Sequence, residues 1–275
     1  EGLHAVIVSD GYEASVPGDH LDALALALEG QGIEMIPWDR SLVPIGDYHR
    51  MEAFIRDMRP DVLYHLAVPS QPRGPEEGWQ VNYHWTSELA WITRSLGVKM
   101  IFASTALVFD AVPNGPYDLE RPPNAETGYG REKRDAEVQL FRQNPEAVVL
   151  RMGWQIGRGF GGNDMVRELR DRKVREGRIR ASRRWIPACS FLSDTAEILV
   201  QLGASDARGI YQVDANAGDA WDFHTLVERL GAALDEGWEV EADDAHQQDQ
   251  RLLDPRVVVP GLSDRLPVEG LEPDI

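Results

Sequence analysis

The chain has 275 residues, with 46 acidic and 28 basic side chains and a formal net charge of -18. That length buries a sizeable core in one large domain or a domain with a small appendage. The 43% hydrophobic and 27% charged fractions exclude wholesale disorder. The acidic balance argues against a general nucleic-acid binder, because phosphate backbones reward positive surfaces. No apolar run approaches the roughly 18 residues that a membrane span needs. One cysteine, Cys189, can form neither an internal disulfide nor a thiolate metal cluster, which fits a reducing cytoplasm. No basic-then-apolar leader precedes the first strand-like run, so no signal peptide is expected.

Taken in chain order, His4–Ser9 reads as a strand, Leu21–Glu29 as a helix and Ile33–Trp38 as a strand closed by Asp39. A helix over Tyr48–Met58 and a strand over Val62–Ala67 follow. Val81–Leu96 is helical, Lys99–Ser104 a strand, Gly130–Asn144 helical and Ala147–Met152 a strand. This alternation predicts an α/β fold: a doubly wound parallel sheet covered on both faces. After Trp154 the rhythm loosens into a glycine-rich loop (Gly157–Gly162), a basic helix, and helices over Asp194–Leu202 and Trp221–Leu234. The expected division is a nucleotide-binding core over 1–154 and a smaller lobe over 155–275, some of whose segments return to the core. His65, in a strand, and most of the tryptophans read as core residues.

Four features could carry chemistry. Tyr129-Gly-Arg-Glu-Lys133 opens a helix, and residues four apart share a face, so phenol and ammonium can enter one site. A neighbouring positive charge would lower the phenol's pKa and make it a usable acid or base. The strand Ile101-Phe-Ala-Ser-Thr105 ends in two hydroxyl residues, where ligands of open parallel sheets sit. At the end of the second strand, Asp39 could accept from a ribose diol and favour NAD, while Arg40 could meet a 2′-phosphate and favour NADP. A simple loop cap is the other reading of that pair. Residues 167–184 (RELRDRKVREGRIRASRR) form a basic island, either a solvated face interleaved with Glu168, Asp171 and Glu176 or a site for a small phosphorylated ligand.

STALVFD (Ser104–Asp110), GPYDLERPPN (Gly115–Asn124) and YGREK together resemble the extended short-chain dehydrogenase/reductases, and among them the dTDP-4-dehydrorhamnose reductases. RPDVLYHLA (Arg59–Ala67), QVNYHWTSELA (Gln80–Ala90), LRMGWQIG (Leu150–Gly157), GNDMV (Gly162–Val166) and FLSDTAEIL (Phe191–Leu199) extend the likeness through most of the chain. The resemblance implies a Rossmann-type sheet and a catalytic triad of Thr105, Tyr129 and Lys133. It implies NADP or NAD held by Gly11, Gly18, Asp39, Arg40, Ala67, Asn82, Ser104 and Lys133. It also implies a nucleotide-sugar bound near Ala106, Trp154, Asn163, Arg180 and Arg184, with no metal, and it allows a homodimer.

Two departures stand out. Ala106 occupies a position where many relatives carry Asp, which argues against water elimination. The first strand–helix turn reads Ser9-Asp-Gly-Tyr-Glu-Ala-Ser-Val-Pro-Gly18, not G-x-x-G-x-x-G, and brings Asp10, Glu13 and Asp19 near an expected diphosphate. The expected activity is NAD(P)-dependent reduction of a keto group on a nucleotide-activated sugar. The alternatives are a nucleotide-sugar epimerase and a non-catalytic binding or regulatory member of the same fold.

Overall fold

A computed structural model describes residues 4–8, 29–67, 76–112, 114–157 and 164–266. Of the expected helix over Leu21–Glu29 only Glu29 is described, and most of the Gly157–Gly162 loop lies outside the described residues, as do Asp10, Gly11, Glu13, Gly18, Asp19 and Asn163.

Six parallel strands form the central sheet: β1 (His4–Val8), β2 (Glu34–Pro37), β3 (Val62–His65), β4 (Lys99–Thr105), β5 (Val148–Met152) and β10 (Gly209–Val213). Their order is β10-β5-β4-β3-β1-β2. The winding direction changes between β1 and β3, and the carboxyl ends of strands at such a switch point form a crevice for ligands. β1 shows why the fold is doubly wound. Val6 and Val8 enter one apolar cluster with Met51, Ile55, Trp85, Leu89 and Leu140. Ala5 and Ile7 point the other way, into a cluster with Ala196, Leu199 and Val200. Both faces are buried, so the strand reads as an unbroken apolar run.

The first face is covered by α1 (Tyr48–Met58), α2 (residues 77–96) and α3 (Gly128–Gln143). α1 is capped by Asp47, whose side chain accepts from Arg50 N at 3.1 Å. α2 is continuous but not uniform: an opening turn Glu77–Trp79, a π-helical stretch Gln80–Trp85 and an α-helical body Thr86–Leu96. Sequence periodicity finds only its later part. The missed opening contains Gly78, and the widened turn includes Asn82.

The remaining elements are β6 (Trp154–Ile156), α4 (Met165–Glu176), β7 (Ile179–Ser182), β8 (Trp185–Ile186), β9 (Cys189–Phe191), α5 (Leu192–Ala204), α6 (Phe223–Ala233), β11 (Val240–Asp243), β12 (Gln248–Asp249) and α7 (Leu262–Arg265). α5 and β10 return to the main sheet. The others surround a separate core built on Ile156, Met165, Leu169, Phe191, Phe223 and Leu230. α4 starts at Asp164, which accepts from Val166 N at 2.7 Å and so caps the basic helix.

A buried polar network ties α3 to the sheet. Arg151 of β5 donates from Nη2 to Glu137 Oε2 at 2.7 Å and from Nε to Oε1 at 3.0 Å. Ser104 Oγ donates to the same carboxylate at 2.5 Å. Arg151 Nη1 reaches Gln212 of β10 at 3.3 Å, and Gln212 Nε2 donates to Tyr117 O at 2.9 Å. Arg151→Met should lower unfolding stability by about 3–5 kcal/mol, because Glu137 is then left charged and buried. The double variant Glu137→Leu/Arg151→Met should recover a large part of that loss in urea unfolding.

Candidate active site

Thr105 closes β4, and its Oγ1 accepts from Leu107 N at 3.2 Å to cap the 3-10 turn Ala106–Val108. The hydroxyl proton is left to donate elsewhere. α3 begins directly over this turn. A Cβ on Gly130 would stand 2.1 Å from Leu107 O, so only glycine lets the helix settle here. The next residue on each side of that contact is chemically important: Tyr129 precedes Gly130, and Ala106, 2% exposed, precedes Leu107.

One turn further along α3, Lys133 is almost sealed, at 1% exposure. Its Nζ donates to Ala103 O at 3.0 Å and reaches Ala67 O at 3.4 Å. It lies 4.3 Å from the Phe102 ring centroid and 5.8 Å from that of Tyr129. The structure thus brings Tyr129 and Lys133 together beside Ala67 and Ala103 at the ends of β3 and β4, with Thr105 two residues further along β4. Ser104 faces inward to Glu137, so its hydroxyl serves the buried network.

Electrostatics modify the expectation for Tyr129. Burial, with the negative charge of Glu132, pushes its phenol upward, not downward. Burial also lowers Lys133 to about 7, with Glu137 and Glu132 opposing the shift. Lys133 is thus only partly charged near neutrality. A phenol that keeps its proton is suited to be an acid, and a partly charged neighbour can change state during a reaction.

Asn82, in the π-helical stretch of α2, is fully buried and donates from Nδ2 to Glu132 Oε2 at 2.7 Å. Its Oδ1 has no partner. The neighbouring His65 is held neutral by burial, with the Lys133 charge adding to the effect. Its ring lies 5.2 Å from Trp85 and 5.5 Å from Phe102, in keeping with a core residue.

At the end of β2, Asp39 Oδ1 accepts from both Ser41 N and Ser41 Oγ at 2.7 Å, and these bonds lower its pKa. Arg40 pairs with Glu77 at 3.4 Å and lies 5.8 Å from the Trp85 ring centroid. These residues flank the switch point without touching Tyr129 or Lys133. Trp154 belongs to an aromatic group in the lobe, 6.4 Å from Trp185 and 6.0 Å from Phe223, with Arg172 5.8 Å above it. Much of the basic island is engaged in ion pairs: Arg170 with Glu236 at 2.5 Å, Arg172 with Glu168 at 2.8 Å, and Arg178 and Arg180 with Glu241 at 2.9 and 3.6 Å. Arg180 and Arg184 are exposed on β7 and the turn after it. Among the described residues, no bond joins either to the Tyr129 cluster.

The residues present fit a dinucleotide with a ribose near Lys133. An ammonium has three donors, two of which meet backbone carbonyls, and Asn82 Oδ1 is a buried acceptor still lacking a donor. Sequence reading missed Glu132, Glu137, Arg151, Gly78 and Gly130. Helical spacing alone put Glu132 and Lys133 on the face of Tyr129, and this was the available signal.

The parallel sheet, its switch point and the Tyr–Lys helix define a Rossmann-type protein of the dehydrogenase/reductase kind. The chain belongs to the RmlD substrate binding domain family, whose pattern matches residues 19–223. A dTDP-4-dehydrorhamnose reductase of Sinorhizobium fredii is 27% identical over 211 residues, covering 72% of this chain and 71% of the relative. In structure, a dTDP-4-dehydrorhamnose reductase from Clostridium acetobutylicum superposes with a TM-score of 0.76 at 17% identity, over 92% of this chain and 91% of that one. Another, from Bacillus anthracis and solved with NADP, gives 0.73 at 16% identity, over 93% and 85%.

Gly130→Ala should destabilise the protein by about 1–3 kcal/mol in chemical unfolding, because the new methyl meets a backbone carbonyl that cannot swing aside. Lys133 also gives stability a pH dependence. Its folded-state pKa lies below the ordinary lysine value, so between about pH 7 and 10 the unfolded chain binds the extra proton. The Lys133 contribution therefore makes stability rise with pH across that window. Urea unfolding of Lys133→Met at several pH values should show a flatter profile than the parent.

Proposed function

We propose that the protein is an NAD(P)H-dependent reductase of a keto group on a nucleotide-activated sugar. The observation that supports this reading is the pairing of Tyr129 and Lys133 against the carboxyl end of β4, the strand that Thr105 closes. The nicotinamide, when bound, supplies the hydride.

The chain's own residues do the rest. Thr105 Oγ1 accepts from Leu107 N with one of its two lone pairs, which leaves its hydroxyl proton to donate to the carbonyl oxygen. Tyr129 supplies the proton that the reduced oxygen needs, and its upward-shifted phenol keeps that proton in store. Lys133, anchored on Ala103 and Ala67, offers its remaining donor to a ribose hydroxyl and its charge to the developing phenolate. Asn82 Oδ1 accepts from the same ribose region. Asp39 and Arg40 lie where an adenosine ribose is expected, so both NADH and NADPH remain cofactors to test.

The lobe around Trp154 is assigned to the nucleotide-sugar. Trp154 and Trp185, half-buried against the core residue Phe223, offer flat apolar faces for a base. The exposed Arg184 offers charge for a diphosphate. With Ala106 at the turn, the residue after Thr105 carries no carboxylate for water elimination, which favours ketone reduction over dehydration.

With dTDP-4-dehydrorhamnose as probe, Tyr129→Phe should lose about 10²-fold or more of turnover, followed by loss of reduced-nicotinamide absorbance, while the fold is retained. Parent-level turnover would remove Tyr129 from the mechanism. Calorimetry with NADH and NADPH should give binding that strengthens with salt if Asp10, Glu13 and Asp19 face the diphosphate. Absence of heat at millimolar cofactor, with folded protein, would favour the non-catalytic alternative.

A further inference from the structure

Glu132 lies between the two residues assigned to chemistry, three positions after Tyr129 and one before Lys133. Its side chain has a built seat. A Cβ on Gly78 would come within 2.9 Å of Oε2 and 3.0 Å of Oε1, so the absence of a side chain at Gly78 makes room for this carboxylate. Within the seat, Oε2 accepts from Asn82 Nδ2 at 2.7 Å.

The contact begins a closed circuit. Thr86 Oγ1 donates to Asn82 O at 2.8 Å and contacts His65 Nε2 at 3.0 Å. Because the Thr86 proton is committed to Asn82, the neutral His65 ring must donate from Nε2. His65 leans on Phe102, and Phe102 carries the Lys133 ammonium 4.3 Å from its ring centroid. The chain of contacts thus returns to α3 one residue from where it began.

Two consequences follow. A carboxylate only accepts, so it fixes which end of the Asn82 amide it meets. The NH₂ turns to Glu132, and Oδ1 remains as the unpaired acceptor. The carboxylate also bears a negative charge felt at both Tyr129 and Lys133.

We propose that Glu132 is a positioning residue of the site: it fixes the Asn82 amide with Oδ1 available to the cofactor, and it acts as the electrostatic counterweight of the Tyr129–Lys133 pair. This rests on the reductase reading for its role in turnover, but not for its effect on the protonation of Lys133. Among the described residues, the other titratable groups around the pair are Glu137, bound to Arg151, and His65, which burial holds neutral. Glu77, beside Gly78, is paired with Arg40. Glu132 alone among these carboxylates acts on both Tyr129 and Lys133.

Lysine occurs only at positions 99, 133 and 173, so protein carrying ¹³Cε-lysine gives three NMR signals to follow against pH without cofactor or substrate. Lys133 should titrate near 7 in the parent. Glu132→Gln keeps an acceptor for Asn82 and removes the charge, and should move that midpoint down by about one pH unit. The alkaline limb of the kcat profile should move to lower pH as well, because the Tyr129 phenol loses the same negative neighbour. Glu132→Asp, which keeps the charge but retracts it from Asn82, should stay closer to the parent midpoint while weakening NADPH binding severalfold. An unchanged Lys133 midpoint in Glu132→Gln overturns the proposal. A shifted midpoint combined with parent turnover in Tyr129→Phe supports the electrostatic role of Glu132 and overturns the reductase reading.

Discussion

The Glu137–Arg151 ion pair is the constraint on which the site's geometry rests. Both side chains are nearly inaccessible, at 4% and 1% exposure. Desolvating two charges is expensive, and such a pair is retained only where its hydrogen bonds are nearly complete. Here Glu137 also accepts from Ser104, and Arg151 continues to Gln212. A slide of α3 along the sheet by even one helical position would strand both charges. The network therefore discriminates between docking positions of the helix more than it adds to stability. That matters because Lys133 is one turn before Glu137, and Ser104 is the residue before Thr105.

A second constraint acts at the other end of α3. Gly130 against Leu107 O and Gly78 against Glu132 are both places where backbone or carboxylate fills the space of a missing side chain. Glycine costs helix stability when exposed in a helix interior. At these two points it permits close approach, so the penalty is exchanged for position. Between the ionic clamp and the Gly130 seat, the Tyr129–Lys133 face has little freedom to rotate about the helix axis.

Much of the sheet was legible because each core strand is buried on both faces and reads as an apolar run bounded by turns. The boundaries of α1, β4, α3 and β5 fall within two residues of their sequence-based positions. The Tyr–Lys spacing was legible for a similar reason: it depends on local helical periodicity. The partners of that pair were not. Glu137 meets Arg151 fourteen residues away, and Asn82 meets Glu132 fifty residues away, and no periodicity within one element encodes such contacts. The reading of Val81–Leu96 takes in most of the π-helical stretch but not the opening turn Glu77–Trp79, where Gly78 weakens the local helix signal. The direction of the Tyr129 shift differs from the expectation because spacing reveals a nearby lysine but not the burial of the phenol. That burial raises the phenol's pKa, and the Glu132 carboxylate adds to the rise.

The same reasoning bears on the acidic character of the whole chain. A formal charge of -18 works against anionic ligands at long range, but screening confines most of that effect to about 10 Å at ordinary salt. Local arrangement then matters more than the total. The arginines of α4 and β7 are largely spent on neighbouring carboxylates: Glu168, Glu236 and Glu241 each take one or two. The basic island is thus closer to a neutral, ion-paired surface than its sequence suggests, and exposed pairs of this kind contribute little stability individually. A phosphorylated ligand would have to compete with those carboxylates for each guanidinium. Arginine suits such an exchange because it stays charged and can bind carboxylate or phosphate through the same planar donors. The lobe can therefore be almost self-neutralised when free and still recognise an anion. The acidic site around Glu132 differs, because its charge is offset by a lysine whose protonation is itself in balance near neutral pH.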